Sequence, residues 1–255
     1  MKVFQNNQYL EALAQCYKQC NKNDKSMHLR IYLVDCCYYS RVALREVLSQ
    51  YLAFSGCGVL NDFESLVGSD SATKPYIMIA ESGGSFDNKC LIVNLPDNPQ
   101  AALVLLLQLG EQPVRNAHFE RVVVLSPFAK DVVEHILICV GLRCIVHIIG
   151  PKLSLTSVCE AILNIRTPMR KGSKLEYGER LIYKPAKTFT PSELRVLKET
   201  LQGMSVNAQA RRHCVNHKTV YTQRSCALEK LNVSDVLGLL RFFVPMRNSS
   251  TRSFI

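Results

Sequence analysis

The chain has 255 residues, 47% of them hydrophobic, and 31 Lys and Arg against 21 Asp and Glu give a net charge of +10. So high an apolar share excludes a disordered chain, and the length allows one large domain or two small ones. The most apolar run, Ala101 to Leu107, is far shorter than the roughly 20 residues that span a bilayer, and no basic segment joined to an apolar stretch marks a secretory signal.

Residues 1–27 read as an N-terminal extension, a short helix with a polar tail. Leu29 to Val34 is an apolar strand. Ser40 to Phe54 follows as a helix, with Val42, Leu44, Val47, Leu48 and Tyr51 spaced to form one stripe. Cys57 to Leu60 is the expected second strand. Tyr76 to Ala80 is the expected third, with Pro75 at its start. Pro99 to Leu109 reads as a buried helix. Arg121 to Ser126 is a strand, Asp131 to Val140 a helix and Cys144 to Ile149 a strand. Ser154 to Ile165 closes the segment as a helix. Strands alternating with helices imply an α/β domain over residues 28–165, a doubly wound parallel sheet with helices on both faces. Continuous apolar strands fit a sheet covered on both sides. Residues 166–188 hold two Pro, two Gly and many charges, the composition of a linker.

The charge is unevenly placed. Residues 1–165 hold 14 basic and 15 acidic residues, whereas residues 185–255 hold 11 and 4. A basic C-terminal block points to an anionic partner, most often nucleic acid. The 11 cysteines include no C-x-x-C pair and no zinc-finger spacing, and most lie in apolar segments. They read as reduced, mostly buried thiols of a cytosolic protein. Cys36 and Cys37 are the odd pair, and a redox role attaches to them first.

The C-terminal block reads as four helices. Thr190 caps the first, Pro191 fits its first position and Glu193 returns a capping bond. Leu194, Leu197 and Leu201 form its inner stripe, and Gly203 ends it. Ser205 caps a second helix running to about His213. A turn at Val215 and Asn216 leads to a third, from about His217 to Leu231, and a fourth begins near Ser234. Two short helices joined by a tight turn, the second rich in Lys, Thr, Gln and Arg, describe a helix-turn-helix.

The run FTPSELRVLKETLQGMSVNAQARRHCVNHKTVYTQRSCALEKLNV resembles the LuxR/FixJ-type DNA-binding domain. The matching positions are Thr190, Pro191, Glu193, Val196, Leu197, Gly203, Ala210, Arg211, Arg212, Lys218, Thr219, Val220, Thr222, Gln223, Arg224, Lys230, Leu231 and Val233. The resemblance implies an all-α domain over residues 189–246, followed by a tail, 247–255. The DNA-binding set would be Lys218, Thr219, Tyr221, Thr222, Gln223, Arg224 and Ser225. Lys218, Thr219 and Arg224 suit phosphate; Tyr221, Thr222 and Ser225 suit base edges. Lys218, Tyr221, Thr222, Arg224 and Ser225 are expected to face outward, and Val220, Leu228 and Leu231 inward. Gln209 and His213 stand where the family usually has aliphatic side chains, so looser packing or a rotated scaffold helix is expected there.

The N-terminal segment resembles a receiver domain that has lost its phosphorylation chemistry. A receiver carries an acidic pair after its first strand, an acceptor Asp at the end of its third, a hydroxyl after its fourth and a Lys after its fifth. Here Asp35 is followed by Cys36 where a second carboxylate is usual. PYIMIAE puts Glu81 at the acceptor position. VVVLS keeps a hydroxyl at Ser126, and Lys152 lies near the fifth strand. Asp35, Glu81 and Ser126 thus form a degenerate phosphorylation pocket, with no phosphoryl transfer, metal or cofactor expected, because magnesium wants several oxygen ligands. Glu81 stands either as a permanent charge or as a solvated surface residue.

Together the two parts resemble the auxiliary regulators of the enterobacterial Rcs phosphorelay, with CYYSRVALREVL and TQRSCALEKLNV carrying the likeness. The implied protein is a cytoplasmic, nucleoid-associated transcription regulator. Its partners are double-stranded DNA and either an Rcs-type response regulator or itself, with no membrane. A stand-alone homodimer and a sequestering protein that never touches DNA remain the alternatives. No G-x-S-x-G, P-loop, Rossmann or H-E-x-x-H motif points to an enzyme.

Overall fold

The computed structural model describes residues 29–35, 37–54, 64–65, 67–68, 76–77, 88–142, 144–150, 158, 161–162 and 188–244. In chain order the N-terminal unit runs β1 (Leu29–Asp35), α1 (Tyr38–Phe54), β2 (Glu64–Ser65), β3 (Val67–Gly68), β4 (Tyr76–Ile77), β5 (Asn88–Asn94), α2 (Pro99–Gln108), α3 (Gln112–Asn116), β6 (Arg121–Leu125), α4 (Lys130–Val140) and β7 (Ile145–Ile149). The C-terminal unit is α5 (Pro191–Leu201), α6 (Val206–Arg212), α7 (His217–Lys230) and α8 (Val236–Phe242).

The main sheet has the order β2-β1-β5-β6-β7 with every neighbouring pair parallel. This is a doubly wound α/β sheet, as the alternation of elements implied. Its order reverses between β1 and β5, and crevices for ligands lie at the carboxyl ends of strands at such a point. The side chains alternate between two faces. Tyr32, Val34, Leu91, Val93, Val122, Val124 and Val146 enter one core with α2 and α4. Ile31, Leu33, Cys90, Ile92, Val123 and Ile149 enter the other, with Leu48 of α1 and the helical residues Val158, Ala161 and Ile162.

Several boundaries differ from the sequence reading. Tyr76–Ile77 does not join the parallel sheet; it pairs antiparallel with Val67–Gly68 in a separate ribbon. The third strand of the sheet is Asn88–Asn94, seven residues in register with β1. The second is Glu64–Ser65, while Cys57 to Leu60 lies outside the described residues. Helix α1 starts at Tyr38, ahead of Ser40. Its Val42, the first member of the expected stripe, is exposed. Helix α3 has no counterpart in the sequence reading. Residues 1–27, the linker up to 187 and the tail lie outside the described residues, as does most of Ser154 to Ile165.

Helix α2 explains its own sequence. Asn98 caps it, its Oδ1 accepting the Ala101 N–H at 3.0 Å, and Pro99 fits the first position. Every residue from Ala102 to Gly110 is buried. A helix apolar all round needs cover all round. The sheet and α4 cover one side, and α5 covers another. At its end Gly110 lies so close to α4 that a Cβ there would meet Val140 Cγ1 at 2.8 Å.

The two units therefore share one core. Phe189 donates its N–H to the Cys139 carbonyl at 2.7 Å. The Phe128 and Phe243 rings meet with centroids 4.6 Å apart. Lys198 pairs with Glu111, and Gln100 donates to the Leu201 carbonyl. Among the described residues, no helix is long and apolar enough to cross a membrane.

Two thiols inside this body are held in the neutral form. Burial pushes Cys90 up to about 12 and Cys144 up to about 11, so neither forms thiolate near neutrality. Cys37 and Cys214 are exposed, and Cys36 lies outside the described residues.

Two outcomes follow from this packing. Leu105 is fully buried, so Leu105→Ala is expected to cost about 2–5 kcal/mol in urea unfolding. Burial first, and the Arg121 guanidinium second, hold His147 below its ordinary pKa of 6.5. On acidification the unfolded chain takes up that proton first, so stability falls from 6.5 down to the lowered folded value and levels below it. His147→Gln is expected to flatten that part of a stability-against-pH curve measured by urea titration.

Candidate nucleic-acid interface and switch-point pocket

The C-terminal helices are set by their caps. Thr190 Oγ1 accepts the Glu193 N–H at 3.2 Å, and Glu193 Oε2 accepts the Thr190 N–H at 2.7 Å. This is the reciprocal box read from the sequence. Glu193 also holds Lys230 Nζ at 2.6 Å, and Lys230 reaches the Thr188 carbonyl at 2.9 Å. The start of α5 is thus tied to the end of α7. Gly203, with φ +83°, takes the left-handed turn after α5. Ser205 caps α6 and Asn216 caps α7, the latter accepting the Lys218 N–H at 2.9 Å.

Helix α7 rests on α5 and α6 through Val220, which joins Val196 and Ala210 in a small buried cluster. Ala227, Leu228 and Leu231 enter the shared core. The opposite side carries Lys218, Thr219, Tyr221, Thr222 and Ser225, all exposed. These are five of the seven residues read as DNA-binding. The other two, Gln223 and Arg224, are half-buried. Arg224 was expected to face outward. It lies one turn beyond Val220, on the packed side, and its guanidinium sits 4.9 Å from the Tyr221 ring centroid. Thr222 donates its hydroxyl to the Lys218 carbonyl at 3.0 Å, which leaves its oxygen free to accept. Arg211 and Arg212 are exposed at the end of α6.

The two departures in the scaffold helix have polar partners. Gln209 is fully buried; its Nε2 donates to Thr200 Oγ1 and to the Met204 carbonyl, both at 3.1 Å. Its Oε1 has no partner. His213 Nε2 lies 2.9 Å from both carboxylate oxygens of Glu199, and Arg212 approaches the same carboxylate at 3.7 Å. Glu199 is buried on α5, so the change at His213 has a matching acid. That pairing is invisible as a motif, since the two residues sit on different helices.

At the sheet's switch point the pocket differs from the sequence reading. Glu81 lies outside the described residues, and the strand meant to end there is not the third of the sheet. That place falls to β5, whose last residue is Asn94, directly opposite Asp35. Asp35 is 3% exposed. Its Oδ1 accepts the Cys37 N–H at 2.7 Å, and its Oδ2 accepts Asn94 Nδ2 at 2.7 Å. Asn94 Nδ2 also reaches Ser40 Oγ at 3.2 Å. Each carboxylate oxygen thus accepts one protein donor and keeps a second acceptor site. Ser126 follows β6 as expected and is buried; its Oγ accepts the Phe128 N–H at 3.0 Å. Lys152 lies outside the described residues. Among the described residues, no group of three His, Cys, Asp or Glu is placed to hold a metal. The signal for Asn94 was present in Cys90 to Val93, a run of apolar residues ending in Asn, but Tyr76 to Ala80 met the same template first.

No protein-family model matches the chain, and no curated protein does. Several solved structures are similar. RcsB from Salmonella enterica serovar Typhimurium, bound to promoter rprA with phosphomimetic BeF3-, is 17% identical, with 85% of this chain and 98% of that chain covered at a TM-score of 0.43. The RcsB–DNA complex of a two-component response regulator is 16% identical, with 85% and 98% covered and a TM-score of 0.42. The response regulator ChrA of a heme-sensing two-component system is 16% identical, with 85% and 96% covered and a TM-score of 0.31. Likeness at this level bears on neither the pocket nor the activity.

The Asp35–Asn94 pair gives a direct check. Asn94→Asp sets a second carboxylate against Asp35, and like charges at that range raise the pKa of one of them. The variant is expected to lose about 1–3 kcal/mol at neutral pH. The loss should shrink as pH falls through the raised carboxyl pKa, in urea titrations beside the wild type.

Proposed function

We propose that the chain is a sequence-specific DNA-binding transcription regulator that works without phosphorylation. The observation that carries the reading is the outer face of α7. Lys218, Thr222 and Ser225 are exposed along its outer face, the first two in its N-terminal half, with Tyr221 beside them, while Val220, Ala227 and Leu228 fix the helix from behind. That is the geometry by which a recognition helix enters the major groove. Lys218, with Arg211 and Arg212, supplies phosphate contacts; Tyr221, Thr222 and Ser225 meet base edges. Gln223 and Arg224 support that face from its flank. The net charge of the C-terminal block suits the same partner.

Phosphorylation independence rests on the pocket. Asp35 already accepts two protein hydrogen bonds, and the residue opposite it is an amide, which cannot form an acyl phosphate. The heterodimer with an Rcs-type response regulator rests on the sequence resemblance. Two-fold pairing suits half-sites one DNA turn apart.

Fluorescence anisotropy on promoter fragments tests the DNA reading. If about six phosphates are neutralised, the log–log salt slope is near −5. Lys218→Ala should weaken all sequences alike and reduce the slope by about one, whereas Thr222→Ala should relax base preference and leave the slope. A flat salt response, or unchanged binding in both variants, overturns the reading. Sedimentation of the protein with and without the response regulator tests the partner; a tight homodimer that binds its promoter alone overturns the heterodimer.

A further inference from the structure

The turn after β6 reaches from the switch-point pocket to the end of the C-terminal unit. Ser126 donates its N–H to the Ile149 carbonyl at 2.8 Å, which anchors the turn on the last strand. Its hydroxyl accepts the Phe128 N–H at 3.0 Å and donates to the Phe128 carbonyl at 3.3 Å. One residue thus takes the donor of this hydroxyl and one of its two acceptor sites, and an anion in the pocket would have to draw the proton away from Phe128. Phe128 in turn packs its ring on Phe243, at a tilt of 43°. Phe128 is 1% exposed and Phe243 is fully buried. Phe243 directly follows α8, the last helix of the DNA-facing unit. Two further ties close the joint: Phe189 N–H to the Cys139 carbonyl, and Cys139 Sγ to the Lys230 carbonyl at 3.5 Å. The inner side of α7 joins the shared core, and Lys218, Thr222 and Ser225 stay outside it.

We propose that Ser126, Phe128 and Phe243 form a fixed clasp in place of a phosphorylation switch. The clasp holds the helix-turn-helix unit in one docked arrangement with its reading face outward. What that face meets rests on the DNA-binding reading above; the docking does not. The switch-position hydroxyl has become a structural strut, and the aromatic pair transmits its position to α8. An aromatic pair adds stability beyond the area it buries, and local opening of a joint is read by hydrogen exchange.

The full chain is compared by hydrogen-exchange mass spectrometry as wild type, Phe128→Ala, Phe243→Ala and the double variant. Each single variant is expected to speed exchange in α2 and α5 by about tenfold, with β1, β5 and β6 unchanged. The double variant should do no more than either single one, because both remove the same contact. Beryllofluoride with Mg²⁺ should leave the wild-type pattern unchanged. Unchanged exchange in α2 and α5 in both variants, or a beryllofluoride response in the wild type, overturns the clasp. Should a Phe variant lose protection throughout, Ser126→Ala decides, since it keeps both rings: faster exchange at residues 127–129 and α8 supports the clasp, and none there overturns it. Anisotropy on the same samples separates the two readings. A wild type with a closed joint that binds no promoter DNA overturns the DNA reading alone.

Discussion

The cover over α2 is the contact on which the rest of the molecule depends. A helix with no polar face is a liability in a three-layer α/β unit, where each helix turns one side to water. Here the outer side of α2 is the floor on which α5 rests. Leucines that a solitary α/β unit would expose are buried to within 1%. Each removes apolar area worth about 1.5–3 kcal/mol from water. Several such side chains make the joint between the units a core and not a surface encounter. The polar ties, Lys198 with Glu111 and Gln100 with the Leu201 carbonyl, sit at its edge, where they add register more than energy. The docking also decides which surfaces are left. It takes the α2 and α4 side of the sheet unit and the inner side of α7, and it leaves the outer side of α7 free.

Most of the scaffold was legible because its signals are local. Caps at Thr190 and Ser205 are contained in three or four residues, and both form as read; Asn216, read only as part of a turn, caps the helix that follows. Apolar runs located β1, β6 and β7. The third strand was not legible, for a physical reason. Tyr76 to Ala80 and Cys90 to Val93 are alike in composition, and strand propensity measures fit to a half-buried surface, not membership of a given sheet. Only pairing with β1 separates them, and pairing is a long-range fact. The same limit hid Asn94: its role comes from lying opposite Asp35, 59 positions away. Arg224 was misread in the other direction. A charged residue on a helix is taken to face water, yet a long Arg stem can lie on the packed side and carry its head to the rim, here over Tyr221.

The scaffold of α7 shows what polar substitution inside a small domain requires. Gln209 and His213 occupy places where aliphatic side chains would pack without direction. Buried polar groups lose more than they return unless they are hydrogen-bonded. Glu199 supplies that partner for His213, and Thr200 with the Met204 carbonyl supplies it for Gln209. All three partners belong to α5 or the turn after it, so the network fixes how α6 lies across α5. A leucine contact would permit α6 to slide by a fraction of an ångström; a His–carboxylate pair at 2.9 Å does not. Since only His213, Cys214 and Val215 part α6 from Asn216, the cap of α7, that angle is handed on to the face bearing Lys218, Thr222 and Ser225. The unpartnered Gln209 Oε1 is the cost of the arrangement, and it lies in the element that aims α7, not in the sheet unit that anchors it.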